Sequence, residues 1–338
     1  MKASRKQSYK KKKMVNLVIK DHVIRYVDAK KPSLYGPMAF GEYRLAPDIV
    51  REGKIAEPDR LRLILKDCVR RWNISNREVQ FVIPDPFVIV RKFDIPPHVA
   101  DEEIKGYLYL ELGSRIHLPF EDPIFDFDFL EMNEEKKEIL LFAAPEHIVA
   151  QYAQLLESAA LKPVAADISP LAVYRLFYQA GKEPGFELPV EAPTLSVQFD
   201  LHTVTASIFH KHKLLLVRQF KMNLSADSWE TSVDRTGALT TVWNGDLTHL
   251  QYEVKVIMEE IQRFINFYYA SIDQGDDEIE TIVLTGDYPY LDNIAEHLQQ
   301  HFGKVPFTFS GHWSETQPQE LFSPKYYLAL GLSLKGGA

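Results

Sequence analysis

Two histidines separated by one residue have the clearest metal-ligand spacing in the sequence. His210 and His212 would project from one face of a strand, and paired imidazoles are common zinc ligands. Lys211 and Lys213 interleave with them, and this run of polar and basic residues between two apolar segments is typical of a solvated hairpin tip. The sequence therefore favours a hairpin turn at this position, and we predict no metal site.

A group of carboxylates offers a second possible chemistry. These are Glu121, Asp122, Asp126 and Asp128. Carboxylates so close together could act in acid–base catalysis or bind a cation. The last two, however, alternate with Phe125, Phe127 and Phe129, and a period of two is typical of a half-buried strand. The simpler interpretation is the solvated face of that strand.

The candidate nucleophiles have structural explanations. Cys68 falls on the apolar stripe of a predicted helix, which indicates an inert core residue. Ser169 and Ser323 each precede a proline at a predicted helix start, so helix capping explains both. No Gly-x-Ser-x-Gly motif or Ser/His/Asp arrangement is evident. We therefore predict no catalytic residue.

The composition of the whole chain is that of a globular α/β protein. It has 338 residues, of which 46% are hydrophobic and 25% charged, which excludes a disordered or collagenous chain. The length predicts two or more lobes. A single cysteine predicts a reducing, cytoplasmic setting, and no run approaches the roughly 18 apolar residues that span a bilayer.

Charge is distributed unevenly along the chain. All seven charges in residues 1–13 are positive, and the remainder carries 32 basic against 47 acidic residues, a net charge of −15. A basic arm could contact anionic lipid headgroups; the simpler interpretation is a flexible tail, or a start codon assigned too early with Met14 as the true start. The acidic remainder argues against nucleic acid as a partner.

Hydrophobic periodicity predicts the same order of elements in two halves. Residues 15–27 form a hairpin, 32–53 a loop, 57–72 a helix and 81–83 a strand. In the second half, 195–220 form three strands, 225–246 an irregular stretch and 247–272 a long helix. Between the halves, a unit of about 80 residues has the order β-α-β-β-α, with its first helix over 101–116. Two related α/β lobes with one inserted subdomain are the prediction.

Six stretches, in this order and spacing, resemble the type IV pilus assembly protein PilM family, which is actin-like and related to the cell-division protein FtsA. They are 88–97 (VIVRKFDIPP), 101–104 (DEEI), 110–120 (LELGSRIHLPF), 155–163 (LLESAALKP), 282–286 (IVLTG) and 328–332 (LALGL). The resemblance implies an actin-like, ribonuclease H-like two-lobed fold. Its implied divisions are a basic arm (1–13), a first lobe (14–85, 166–190 and 318–338), an inserted subdomain (86–165), a second lobe (191–225 and 279–317) and a second-lobe subdomain (226–278).

The resemblance also implies a partner. In this family a short N-terminal peptide of the membrane protein PilN lies in a groove beside the inserted subdomain, and an extended peptide can be held by backbone pairing and side-chain pockets. The candidate contacts here are Leu112, Ile116, Leu118, Phe120 and Phe127. The chain would then be cytoplasmic and peripheral to the inner membrane through this partner. Other pilus assembly components and self-association stay open.

Actin-like proteins hold ATP and a metal between two hairpin turns, where small residues let the backbone approach the phosphates. In the first turn, Val18 stands where the family has its acidic residue and Lys20 where it has glycine. A valine cannot hold a metal-bound water, and a lysine does not restore the backbone cradle. The first phosphate element is therefore degraded.

The second nucleotide element is degraded as well, so that two of the three are degraded. The second turn keeps Asp200, Thr203 and Thr205 but lacks the glycine, and the third, normally Gly-Gly near the adenosine, reads Gly286-Asp287. No Walker-type loop replaces them. The resemblance therefore predicts a scaffold of a type IV pilus or competence machine with a degenerate nucleotide cleft and no cofactor. The alternative is a functional ATPase or a nucleotide-dependent small-molecule kinase of the same fold.

Overall fold

Two β-sheets with the same strand order organise the chain. The computed structural model describes residues 14–29, 38–132, 137–182, 192–233, 239–271, 278–307 and 323–335. The basic arm predicted over 1–13 lies outside these ranges.

The first sheet has the spatial order β10-β6-β1-β2-β3. Its strands are β1 (Val15–Lys20), β2 (Val23–Ala29), β3 (Met38–Arg44), β6 (Glu78–Val82) and β10 (Lys162–Asp167). The first three pair antiparallel, whereas β6 and β10 run parallel to β1. The central strand is buried on both faces, which explains its nearly continuous apolar sequence.

The second sheet repeats this plan with the order β13-β12-β11-β16. Its strands are β11 (Thr194–Phe199), β12 (Thr203–His210), β13 (Lys213–Lys221) and β16 (Thr281–Thr285). Three antiparallel strands are again followed by a parallel one, and a single parallel bridge from Val283 to Phe307 continues the order. This repeated plan confirms the predicted actin-like, two-lobed fold.

Helices cover the sheets and complete the cores. They are α1 (Pro58–Arg71), α3 (Glu146–Ser158), α4 (Ser169–Ala180), α5 (Leu247–Ser271), α6 (Leu291–Phe302) and α7 (Tyr327–Ser333). Leu17 packs with α1 and α3, whereas its neighbour Val18 packs with α4 and α7, so these pairs lie on opposite faces of the first sheet. The second sheet packs against α5 and α6.

The inserted subdomain has a sheet of its own, in the order β7-β9-β8. Its elements are β7 (Ile89–Ile95), α2 (Ile104–Glu111), β8 (Pro123–Met132) and β9 (Lys137–Pro145). The observed order, closed by α3, confirms the predicted β-α-β-β-α arrangement. However, α3 packs on the first core and β10 belongs to the first sheet. The predicted domain boundaries stay predictions.

Three local predictions were wrong. The loop predicted over 32–53 contains β3 and β4 (Val50–Arg51), which pairs with β5 (Lys54–Ile55) just beyond it, and β3 is an edge strand whose half-exposed residues lack clear alternation. The stretch 225–246 contains a hairpin, β14 (Trp229–Val233) and β15 (Leu239–Trp243). The helix predicted over 101–116 ends at Glu111, because Leu112 is extended and Gly113 has φ +79°.

Candidate functional site

The cleft between the two lobes collects polar side chains from four chain segments. Two are the hairpin turns that follow β1 and β11, and two are the segments that follow β6 and β16. Because β1 is parallel to β6 and β11 is parallel to β16, the two segments of each lobe start from the same edge of their sheet. The carboxyl ends of parallel strands are where α/β proteins usually place their sites.

A buried ion-pair network joins the lobes at the floor of this cleft. Nζ of Lys20 lies 2.8 and 2.9 Å from the two carboxylate oxygens of Asp200 and 3.1 Å from Oδ2 of Asp287. Nε2 of His22 lies 3.1 Å from the same Oδ2 atom. An ammonium surrounded by three carboxylate oxygens thus lies where the turn after β1 meets the segments that follow β11 and β16.

A second cation deepens the network. Arg25, whose side chain is 2% exposed, donates to Asp287 through Nη1 and to Glu42 through Nε. Lys325 donates to the same glutamate at 3.1 Å. Each buried charge therefore has a partner of opposite sign, as burial requires.

The pKa values follow from these contacts. Burial acts to raise the pKa of Asp287, but Arg25 and Lys20 overcome it and hold that pKa well below its ordinary value. Burial likewise acts to lower the pKa of Lys20, but Asp200 and Asp287 raise it above the ordinary value. Lys20 and Asp287 are therefore both charged at neutral pH.

Asp85 forms a neighbouring contact between the lobes. It follows β6 between two prolines, and its carboxylate accepts hydrogen bonds from Ser169 at 2.6 Å and from Thr205 of the second lobe at 3.2 Å. Burial raises its pKa, and the charge of Asp200 adds to that effect. Ser169, expected to cap a helix, thus bonds Asp85 instead.

The structure brings together most of the residues that the sequence assigned to a nucleotide cleft. Lys20 and Asp200 pair directly, Thr205 bonds Asp85, and Thr203 lines the adjacent cavity. Gly286 has φ +124°, and a Cβ there would lie 2.1 Å from the carbonyl oxygen of Phe199, so glycine is required by packing. The sequence patterns did not identify Arg25 or Asp85 as residues of this site. The signal available for Arg25 was a charged side chain inside an otherwise apolar strand.

Little space is left beside Lys20, whereas a second cavity of about 720 Å³, lined by His22, His202 and Thr241, lies elsewhere between the lobes. The cavity beside Lys20 has a volume of about 80 Å³, whereas small-molecule pockets usually measure about 300–1,000 Å³. The side chain of Lys20 accounts for part of this closure, since its ammonium lies between the carboxylates of Asp200 and Asp287. The nucleotide assignment of these residues stays a prediction.

The residues predicted to contact a partner divide between two cavities beside the insert. Leu112, Ile116, Leu118 and Phe120 line a recess of about 570 Å³ in the segment that follows α2. Phe127 instead lines a groove of about 590 Å³ between the insert and both lobes. The predicted set therefore does not form one surface.

The larger groove runs along the edge strand β8. Residues 124–128 all line it, together with Leu171 and Arg175 of α4. Because successive side chains of a strand point to opposite faces, consecutive residues can share a groove only where it follows the strand edge. Within the described residues β8 pairs with β9 alone, so its other edge is unpaired, and the groove also extends over the sheet face to Leu140 and Phe142 of β9.

The two histidines singled out by their spacing are not on one strand face. His210 ends β12, whereas His212 lies in the following turn with φ +63° and its Nδ1 is 2.9 Å from the hydroxyl of Tyr174. Among the described residues, none of the helices is long and apolar enough to cross a membrane.

Comparisons with known proteins give consistent results. A family model described as type IV pilus assembly protein PilM matches residues 19–337. The fold is similar to that of a solved PilM–PilN type IV pilus biogenesis complex, at a TM-score of 0.74 and 20% identity over 96% of this chain and 99% of that one. No curated protein matches the sequence.

Two weaker structural likenesses accompany these. The ethanolamine utilization protein EutJ from Carboxydothermus hydrogenoformans has a TM-score of 0.49 and 12% identity over 96% of this chain and 89% of its own. ADP-bound MreB5 of Spiroplasma citri has a TM-score of 0.47 and 9% identity over 96% and 95%. Both likenesses are too distant to support a conclusion.

Proposed function

The chain belongs to the type IV pilus assembly protein PilM family, and from that premise we propose that it is a scaffold that binds the cytoplasmic N-terminal peptide of a PilN-like membrane protein. Its site would be the groove along β8, and it would sit on the cytoplasmic face of the membrane through this partner. The similar solved structure is a complex of PilM with PilN, which supports the choice of partner.

The groove along β8 is the observation that carries the proposal. An extended peptide can add to an exposed strand edge through backbone hydrogen bonds, while alternate side chains enter pockets. Here Ile124 is 46% exposed at the edge, and Leu171 and Leu130 supply half-buried apolar surface beside it. The volume of about 590 Å³ accommodates several side chains.

The recess that contains Leu118 is a weaker candidate. It is formed by one short segment, residues 112–123, and it touches the edge strand β8 only at that strand's first residue, Pro123. It therefore offers side-chain contacts without the backbone pairing that an extended peptide needs. We assign the partner peptide to the groove and keep the recess as the contrasting site in the test.

We further propose that the cleft does not bind or hydrolyse ATP. The ammonium of Lys20 lies between the carboxylates of Asp200 and Asp287, and the cavity beside it, of about 80 Å³, is too small for a nucleotide. A thermal melt with Mg²⁺ and a non-hydrolysable ATP analogue tests this. A flat melting temperature is expected, and a rise of several degrees would favour the alternative of an ATPase or kinase.

Calorimetry with the synthetic N-terminal peptide of the PilN-like protein tests partner binding. Leu171→Arg should abolish binding, because it places a charge in the apolar wall of the groove. Leu63→Arg is the matched control, since Leu63 is 63% exposed on α1 and lies outside the groove. Leu118→Arg should leave the affinity unchanged.

Two results would contradict the proposal. Absence of binding by the wild-type protein at tens of micromolar would remove the partner assignment. Loss of binding in Leu118→Arg with retention in Leu171→Arg would move the site from the groove to the recess.

A further inference from the structure

The second lobe reaches the groove through the tip of one hairpin. The groove is lined, opposite β8 and α4, by His212 of the turn between β12 and β13 and by the first two residues of β13, Lys213 and Leu214. The groove therefore has three walls, from the insert, from the first lobe and from the second lobe. Neither the fold resemblance nor the predicted contacts assign any role to this hairpin.

Specific contacts hold the hairpin tip in place. Nζ of Lys213 lies 2.9 Å from Oδ2 of Asp128 on β8, and His212 pairs with the hydroxyl of Tyr174 on α4. Phe209 stacks on the ring of Tyr174, with centroids 4.0 Å apart and planes 10° from parallel. The tip is thus tied to both other walls.

An apolar cluster continues these contacts beneath the surface. Leu140 of β9, Ile168 at the start of α4, and Phe209 and Leu214 of the hairpin pack together and are all buried. Because these residues come from the insert, the first lobe and the second lobe, the cluster joins the same three parts that wall the groove. The position of the hairpin is therefore defined by packing as well as by charge.

The turn itself carries backbone strain. Lys211 has φ +48° and His212 has φ +63°, both in the left-handed region that hairpin turns usually fill with asparagine or glycine. Non-glycine residues in this region persist only where the surroundings compensate the cost. In this turn, the contacts of His212 and Lys213 with the other walls provide that compensation.

We propose that the tip of the β12–β13 hairpin is the third wall of the partner site, so that a bound peptide contacts the insert and both lobes together. This inference rests on the proposed function. The ion pair between Lys213 and Asp128 closes the wall against β8. A peptide held in the groove therefore dissociates faster when this pair is broken.

Stopped-flow dissociation of a fluorescein-labelled N-terminal peptide of the PilN-like protein tests the wall. Lys213→Glu should raise the dissociation rate about three- to fivefold, because the introduced carboxylate faces Asp128 and repels β8. Lys211→Glu, the same charge change two residues away on the exposed side of the turn, should leave the rate unchanged. The charge swap Lys213→Glu with Asp128→Lys should restore the rate to within about twofold.

Hydrogen exchange provides a second readout that does not depend on a variant. Saturating peptide should slow amide exchange at the β12–β13 tip as well as along β8, and leave the β14–β15 hairpin of the same lobe unchanged. Protection restricted to β8 and α4 would overturn the inference. Equal dissociation rates in Lys213→Glu and Lys211→Glu, or a charge swap that fails to restore the wild-type rate, would overturn it too. In each of these results the wild type still binds, so they differ from failure of the proposed function, in which no peptide binds at all.

Discussion

Replacing Lys20 with methionine removes the cation that joins the lobes at the floor of the cleft. The variant leaves Asp200 with hydrogen bonds from Gln198 and from the backbone N–H of Asp287, but without its ammonium partner. Removing one partner of a buried ion pair costs about 3–5 kcal/mol. Because the side chains of Lys20 and Asp200 remain 15% and 10% exposed, we expect the lower end of that range, about 3 kcal/mol.

A loss of this size is measurable as a thermal melt. It corresponds to a fall in melting temperature of about 5 °C for a chain of this length. Lys66→Met is the matched control, because Lys66 is exposed on the solvent face of α1 and surface substitutions change stability by about 0.5 kcal/mol or less. Equal melting temperatures for the two variants, or a higher one for Lys20→Met, would refute the idea that the ion pair fastens the lobes.

The effect of the substitution must also depend on pH in a defined direction. The pKa of Asp287 is depressed, so its contribution is present above the ordinary aspartate value of 3.8 and is lost as the pH falls through the folded-state value. The pKa of Lys20 is raised, so its contribution is present below the ordinary value of 10.5 and is lost as the pH rises beyond that. The difference between wild type and Lys20→Met should therefore be largest between these limits and shrink in acid.

Three further predictions concern single residues. Gly286→Ala should lower the free energy of unfolding by at least about 3 kcal/mol in a denaturant melt, because its Cβ would collide with Phe199. Gly303→Ala is the control: Gly303 has φ +69° and open space around it, so the loss should be about 1–2 kcal/mol. Burial lowers the pKa of His202 to about 4, so it should resist protonation in an NMR titration, and stability should fall between pH 6.5 and 4 in wild type but less in His202→Gln. Burial raises the pKa of the Cys68 thiol to about 12, so iodoacetamide should modify it only after unfolding.

Hydrophobic periodicity was sufficient to predict most of the elements that build the two sheets. The run from Val15 to Val27 and the apolar stripe of α5 were readable because each element buries one defined face or both. The edge strand β3 was not readable, since its residues are half exposed and follow no period of two. The β14–β15 hairpin was missed because its turn signals interrupt a short, polar segment.

The candidate site was only partly readable, for a different reason. Lys20 and Asp200 were identified one turn at a time, but they are 180 residues apart, and no local pattern predicts that one bonds the other. Arg25 was not identified as a site residue, although it is 2% exposed and paired. Which side chains pair between the lobes depends on how the two folded sheets are oriented toward each other. The order of elements along the sequence does not determine that orientation.

The ion pair at the cleft floor and the hairpin wall of the groove both hold the second sheet in place. Lys20 of the first lobe bonds the turn after β11, and Lys213, at the far end of the adjacent hairpin, bonds β8 of the insert. Lys20 does not line the groove. If the peptide nevertheless contacts all three walls, Lys20→Met should raise its dissociation rate by loosening the second lobe.

A double-mutant cycle separates this coupling from two independent effects. Because both substitutions act through the position of one lobe, Lys213→Glu should change the dissociation rate less in the Lys20→Met background than in the wild type. By reciprocity, saturating peptide should raise the melting temperature of the wild type more than that of Lys20→Met. The opposite outcome is that the two substitutions change the dissociation rate by factors that multiply, and that peptide stabilises the wild type and Lys20→Met equally. The cleft and the groove would then be energetically separate, because sites that share no common rearrangement contribute independently.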